Sequence, residues 1–236
     1  MNQTEYKGER KIDQKWNNLY KIAGIATITM LVIIPVQILV FSLTSIPSTI
    51  MDWFKLYQDN WVLGLIHQDF LYIINNVIVA IMYLAFYVKL KAKNQSLMLL
   101  ALVLGLLGIA AYLASNRSFE LMNLSHLYYG TNILSLKAMY LSAGQAVLVS
   151  WQGTAFLIYY ILNGIALLLL SLVMLQSEAF GKKIAIIGLV AGILMIIPST
   201  AGTIGLIFSL ASLIPWYIFS ILAAKKFFQF AKEDKN

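Results

Sequence analysis

Three polar residues recur at helical spacing where one apolar stretch begins: Asp69, Tyr72 and Asn76. In a helix, intervals of three and four residues place side chains on one face, and Asn76 would lie about 10 Å below Asp69 at 1.5 Å per residue. Asn75 precedes Asn76, and an amide without a partner is costly in hydrocarbon. We therefore expect both asparagines to face other helices, where they line a polar pocket or fix helix packing by hydrogen bonds.

Two further groups of polar residues flank the next apolar stretches. Arg117 and Glu120 follow the third stretch, and Gln152 and Asn163 belong to a stripe that runs into the fourth. All of these residue types bind polar molecules through hydrogen bonds or charge. We predict that, together with Asp69, Tyr72 and the two asparagines, they form a ligand-binding site.

The centre of this predicted site is the approach of Asp69, Asn76 and Arg117, with Gln152 on the adjoining wall. Asp69 begins one stretch and Arg117 follows the end of the next, so antiparallel packing brings both to one membrane depth. Their opposite charges attract more strongly where water is partly excluded. The alternative is that Arg117 is an ordinary loop charge, paired with Asp69 or with Glu120.

No residue pattern predicts a metal, a cofactor or a catalytic centre. His67, Asp69, Glu120 and His126 are of types that bind zinc. Their spacing matches neither a His-x-x-x-His pair nor a His-Glu-x-x-His motif. We find no nucleophile elbow and no phosphate-binding glycine loop, so catalytic residues stay unknown and we lean against an enzyme.

Six apolar stretches must position these side chains. A bilayer core of about 30 Å needs about 20 apolar residues in a helix, and most of the stretches reach that length. They cover Ile22–Leu43, Phe70–Val88, Ser96–Ala114, Thr154–Leu175, Ile184–Pro198 and Thr203–Ala224. We predict an all-α integral membrane protein with a six-helix transmembrane domain over 22–224, a segment 1–21 before it and a tail 225–236 after it.

The positions of the basic residues predict the orientation of these spans. Of the 17 lysines and arginines, 14 lie in alternate connections and in the two terminal segments. Because positive residues stay on the cytoplasmic side, both termini are predicted to be cytoplasmic and the polar pocket to open outward.

The composition excludes a soluble domain. The 236 residues are 60% hydrophobic and only 11% charged, whereas soluble domains carry about 25% charged residues. The net charge of +7 follows the cytoplasmic connections, so it indicates anionic lipid and not nucleic acid as a partner. The chain has no cysteine, which excludes disulfides and thiol chemistry.

Two local patterns add detail near the outer face. Within the first external loop, Ile50, Trp53 and Tyr57 recur at helical spacing. This predicts an amphipathic helix on the membrane surface, with Trp and Tyr at headgroup depth. In the first span, Pro35 is expected to kink the helix, and Gln37 is expected to meet a neighbouring helix.

Several segments together resemble a family of small polytopic membrane proteins of bacteria and archaea that is known only as a domain of unknown function. These segments are Asp52–Asn60, Leu71–Asn76, Ala114–Glu120, Trp151–Phe156 and Pro198–Gly205. The resemblance covers nearly the whole chain. It implies a helical bundle in a bacterial or archaeal cell membrane and no particular activity.

Three functions remain open on the sequence alone. The leading hypothesis is that the pocket binds, senses or passes a small molecule or a lipid headgroup. The second is a lipid-modifying hydrolase or transferase at the outer face, and the third is a scaffold or subunit of a membrane complex. A collapsed and fully paired polar cluster would favour the scaffold. A carboxylate–histidine pair beside a serine would favour the enzyme.

Overall fold

The computed structural model describes residues 15–197, 199 and 202–232, and all the regular secondary structure in this part is helical. Residues 1–14, 198, 200, 201 and 233–236, which include much of both predicted terminal segments, lie outside the described residues. In chain order the helices are α1 Asn17–Leu43, α2 Ile50–Asp59, α3 Trp61–His67, α4 Phe70–Leu90, α5 Gln95–Ser115, α6 Ser118–Tyr129, α7 Leu134–Trp151, α8 Thr154–Leu175, α9 Lys182–Met195 and α10 Gly202–Phe230.

Within the described residues, five helical segments are long and apolar enough to cross a membrane, so the chain is an all-α, multi-pass membrane protein. They are α1, α4, α5 continued by α6, α7 continued by α8, and α10. Helices α4, α5 and α8 agree with their predicted stretches to within two residues at each end. Helix α9 has 14 residues, about 21 Å, which is short for a core of about 30 Å. The count of six spans therefore stays a prediction.

The described residues form two compact units. Unit 1 contains residues 15–32, Asn76–Ile109 and the described residues from Tyr160 onward; unit 2 contains Ile33–Asn75 and Ala110–Tyr159. Helices α1, α4, α5 and α8 contribute residues to both units.

In unit 1, glycines of α5 allow polar side chains of neighbouring helices to approach its backbone. A Cβ added at Gly105 would lie only 2.7 Å from the ring of Tyr83. At Gly108 an added Cβ would overlap the amide of Asn163. The Tyr83 hydroxyl donates a hydrogen bond of 3.0 Å to Asn163 Oδ1. Small residues in α5 thus bring together a buried polar pair.

In unit 2, α2 is the amphipathic helix that the sequence predicts, but its apolar face packs on protein. A capping box starts it: Thr49 Oγ1 accepts from the Asp52 N–H, and the Asp52 carboxylate accepts from the Thr49 N–H. Trp53, Phe54 and Tyr57 are no more than 4% exposed. They contact residues of α6 and α7, including Leu121 of α6. Helices α6 and α7 supply the apolar surface that buries Trp53 and Tyr57. The depth of these side chains at the headgroups stays a prediction.

Candidate functional site

The candidate site is built on the connection between α3 and α4. Asp69 has φ of 62°, the left-handed conformation, and no other non-glycine residue in the described ranges has a positive φ. Aspartate tolerates this conformation better than most residues. The turn is closed by a hydrogen bond of 3.1 Å from the Asp69 N–H to the Ile66 carbonyl. It presents His67, Gln68 and Asp69 in succession, and backbone strain of this kind concentrates at functional sites.

One face of α1 packs against this connection. Gln37 and Phe41 of α1 and Thr44, which directly follows it, are spaced by four and three residues, so they lie on one side. Gln37 Nε2 donates to the Ile66 carbonyl at 2.8 Å, which confirms the expectation that Gln37 meets a neighbouring helix. The Phe41 ring is stacked on the His67 imidazole, with centroids 5.4 Å apart.

The hydrogen bonds of Thr44 determine which nitrogen of His67 carries the proton. Thr44 Oγ1 lies 2.7 Å from the Val40 carbonyl oxygen, which can only accept. The hydroxyl proton therefore points to Val40, and Thr44 Oγ1 accepts from His67 Nε2–H at 2.9 Å. Burial lowers the pKa of His67, so the ring is neutral at pH 7. Its Nδ1 consequently carries a lone pair and acts as an acceptor.

Gln68 joins α2, the α3–α4 connection and the start of α6. The Tyr57 hydroxyl donates to Gln68 Oε1 at 2.5 Å. Burial raises the pKa of Tyr57 well above its ordinary value, so its hydroxyl stays a donor. Asn116 Nδ2 donates to the Gln68 carbonyl oxygen at 2.6 Å. This bond joins the residues before α4 to those after α5, in the antiparallel arrangement that the sequence predicts.

Four buried side-chain atoms of unit 2 have no hydrogen-bond partner within the described residues: Gln37 Oε1, His67 Nδ1, Gln68 Nε2 and Asn75 Oδ1. All four residues are at most 4% exposed. A buried polar atom without a partner costs about 1–3 kcal/mol, so most proteins contain few of them. Three of the four belong to Gln37, His67 and Gln68, and we call these residues together with Asp69 the junction cluster.

The Asp69 carboxylate is the charged group of the junction cluster. It is half-buried, and it makes no ion pair or side-chain hydrogen bond within the part of the chain that the structure describes. Burial raises the pKa of Asp69 to about 7, because a less polar environment disfavours the charged form. Near neutral pH the carboxylate can therefore bind either a cationic group or a proton.

Arg117 pairs with Glu120 and not with Asp69. Its Nη1 lies 3.0 Å from Glu120 Oε1, and the two side chains are 47% and 50% exposed. Arg117 is the N-cap residue of α6 and Glu120 lies three residues later, in the first turn, which explains why the local pair forms. The predicted attraction between Asp69 and Arg117 is therefore not realised as an ion pair, and the alternative pairing with Glu120 is the observed one.

The other predicted site residues are divided between the two units. Tyr72 is half-buried and Gln152 is exposed, both in unit 2. Asn76 and Asn163 are buried in unit 1. Their burial confirms that these amides face other helices and not lipid. The Asn163 side chain accepts a hydrogen bond from the Tyr83 hydroxyl. A shared role of these residues in ligand binding stays a prediction.

Among the described residues, no three His, Asp or Glu side chains lie close enough together to hold a metal ion. His67 is buried against Phe41, whereas His126 is exposed on α6. The structure thus gives no support to a zinc site built from His67, Asp69, Glu120 and His126.

Sequence reasoning did not assign ligand-binding roles to Gln37, Thr44, Tyr57 or Gln68. Two signals were available. The run His67-Gln68-Asp69 interrupts an otherwise apolar region, and Thr44 follows Gln37 by seven residues, two helical turns. Neither signal indicates which side chains meet, because that depends on how α1 packs against α3.

The helices and this polar cluster define a multi-pass α-helical membrane protein with buried polar groups in unit 2. The chain matches the family described as Domain of unknown function (DUF4386) over residues 22–225. Because this match covers most of the chain, the protein belongs to that family. No curated protein and no solved structure matches the chain.

Proposed function

We propose that the protein binds, senses or passes a small polar molecule or a lipid headgroup at a site formed around the junction cluster. The observation that carries this proposal is that three buried residues of one connection and of the helix bonded to it, Gln37, His67 and Gln68, each retain a polar atom without a partner in the described chain. His67 and Gln68 directly precede Asp69, and the Gln37 amide and the Asp69 N–H are bonded to the same Ile66 carbonyl. The Asp69 carboxylate also has no partner in the described chain. A ligand with complementary groups would satisfy them.

The same observation disfavours the scaffold hypothesis. Polar residues that only fix packing are expected to satisfy one another, because each unpaired buried atom lowers stability. Tyr83 and Asn163 in unit 1 form such a structural pair. The junction cluster differs from it, since each of its three buried residues retains an unpartnered atom.

The hydrolase hypothesis is also less well supported. A serine or threonine nucleophile needs a base that takes its proton. The only hydroxyl bonded to His67 is that of Thr44 in the described chain, and its proton is directed to the Val40 carbonyl. Binding is therefore the function that the geometry favours.

We place the protein in the cell membrane with both termini cytoplasmic and the junction cluster near the outer face. The support is the distribution of basic residues. Since the chain has no native cysteine, single-cysteine variants can be labelled without background. An impermeant maleimide added to intact cells is expected to label Asp59→Cys and Asn132→Cys and to leave Asn94→Cys and Ser177→Cys unlabelled. Labelling of residue 94 from outside would refute this orientation.

Access of water to the site can be tested with two neighbouring positions of α1. Gln37 is fully buried in unit 2, whereas Leu39 is 57% exposed and would face lipid. If Gln37 lines a polar site, Gln37→Cys is expected to react with a small charged methanethiosulfonate at least about tenfold faster than Leu39→Cys, because only a thiolate in contact with water reacts quickly.

Denatured samples of both variants supply the maximal labelling, and their helix content checks that each variant folds. Equal, slow reaction of both cysteines in folded protein would mean that no water-filled site reaches Gln37. That result would leave the scaffold as the better hypothesis.

A further inference from the structure

The unpartnered atoms of the junction cluster are mainly acceptors. The unpartnered atom of the Gln37 amide is its oxygen, Oε1, which is an acceptor. The amide nitrogen must be the atom that donates to the Ile66 carbonyl. His67 Nδ1 is an acceptor because Nε2 donates to Thr44. The Asp69 carboxylate adds two acceptor oxygens and a negative charge. A ligand that suits these groups must donate hydrogen bonds and carry positive charge.

We infer that the junction cluster binds a primary ammonium group through Gln37 Oε1, His67 Nδ1 and the Asp69 carboxylate. This inference rests on the proposed function and names the class of its ligand. The three residues belong to one local structure, since the Gln37 amide is bonded to the carbonyl of Ile66, which directly precedes His67, and the Asp69 N–H is bonded to the same carbonyl. A primary ammonium has three N–H donors, one for each acceptor residue.

Other charged ligands fit these groups less well. A quaternary ammonium has no N–H and would leave the acceptors unsatisfied. An anion would meet the Asp69 carboxylate, while Arg117 is engaged with Glu120. A divalent metal prefers more anionic oxygens than one carboxylate supplies, and no metal-binding group of three acidic or histidine residues is found in the described ranges.

Gln68 indicates that the ligand also carries a hydrogen-bond acceptor. Its Nε2 is the one unpartnered donor among the four buried atoms of unit 2. A ligand oxygen close to the ammonium would accept from it, as in an amino alcohol or an ethanolamine headgroup. The amine could therefore come from a lipid or from a soluble molecule, and the test separates the two sources.

The test compares ethanolamine with choline, which differ at the nitrogen only by its methyl groups. The full-length protein is reconstituted in nanodiscs of phosphatidylcholine, and its thermal unfolding is followed with each soluble compound. A second set of discs contains added phosphatidylethanolamine. We expect ethanolamine or phosphatidylethanolamine to raise the unfolding temperature and choline to leave it unchanged, because binding to the folded state alone is stabilising.

Two variants link the effect to the cluster. Asp69→Asn keeps the size of the side chain and its tolerance of positive φ, and we expect apparent affinity for the amine to fall about tenfold to a hundredfold, the value of a charge-assisted hydrogen bond. His67→Gln keeps a donor for Thr44 and has no atom at the position of Nδ1, so it should also weaken binding. Asp59→Asn, the same change at an exposed residue of α2, is the control and should bind normally.

Each outcome decides the question. Stabilisation by soluble ethanolamine alone indicates a soluble amine, and stabilisation by phosphatidylethanolamine alone indicates a lipid headgroup. An equal effect of choline, or binding that survives Asp69→Asn, overturns the inference, as does the absence of any stabilisation by an amine. If Gln37→Cys still reacts rapidly in that case, the polar site stands and only its ligand class is wrong; if it does not react, both proposals fail.

Discussion

Replacing Gly108 with leucine is expected to destabilise the packing of unit 1 strongly. An added Cβ at residue 108 would overlap Asn163 Nδ2 and lie 3.2 Å from Leu162 Cβ, before any larger side chain is accommodated. The displaced Asn163 would also lose its hydrogen bond from the Tyr83 hydroxyl. Overpacking commonly costs about 1–3 kcal/mol, and the lost bond adds about 0.6 kcal/mol within a membrane. We expect a lower unfolding temperature in detergent and a reduced yield of monodisperse protein.

Two comparisons separate this contact from a general effect of mutation in α5. Ala110→Leu adds a similar bulk to an exposed position of the same helix and should change stability little. Gly108→Ala should be less harmful when Asn163 is also replaced by alanine, because the overlapping amide is then absent. Additive effects of Gly108→Ala and Asn163→Ala would show that the two positions do not interact, contrary to the packing described.

Removing the charge of Asp69 is expected to stabilise the unliganded protein at alkaline pH. Burial raises the pKa of Asp69 to about 7, from an ordinary value of 3.8. Between these values the folded chain holds a proton that the unfolded chain has released, so the free energy of unfolding falls as the pH rises. Asp69→Asn lacks this penalty. We expect it to be more stable than the native chain by about 1–4 kcal/mol at about pH 8, and by little at about pH 4.

The free energy of unfolding of the native chain and of Asp69→Asn, measured without amine from about pH 4 to about pH 8, gives the stability difference directly. His67 within the cluster and Tyr57, which is bonded to Gln68, also titrate, but they occur in both proteins, so their contributions largely cancel. The effect of His67 on stability has the opposite pH dependence. Burial lowers the pKa of His67, so its contribution to the free energy of unfolding is lost as the pH falls. A stability difference that does not change with pH would show that the pKa of Asp69 is the same in the folded and unfolded chains.

Together these two results would distinguish a polar pair that only stabilises the fold from a charged residue that serves binding. Tyr83 and Asn163 satisfy each other, so disturbing them should only destabilise the protein. The Asp69 carboxylate has no partner in the described chain, so its neutralisation should increase the stability of the protein while weakening amine binding. Such a conflict between stability and function is characteristic of binding sites.

The sequence by itself determined the class of protein and most of the helix bounds. Helices α4, α5 and α8 follow their apolar stretches closely, because partition into a membrane depends on the summed hydrophobicity of consecutive residues. It also indicated that Gln37 and Asn75 are buried, since a polar side chain in an apolar stretch must avoid lipid. These properties are local along the chain and need no knowledge of neighbouring helices.

Only the tertiary structure decided which polar groups meet. It paired Arg117 with Glu120, brought Thr44 to His67, and left Gln37 Oε1 and His67 Nδ1 without partners in the described residues. These contacts depend on the rotation of α1 about its axis and on the left-handed backbone at Asp69. Both are set by the packing of many side chains at once, whereas spacing along the chain specifies only which residues share a face.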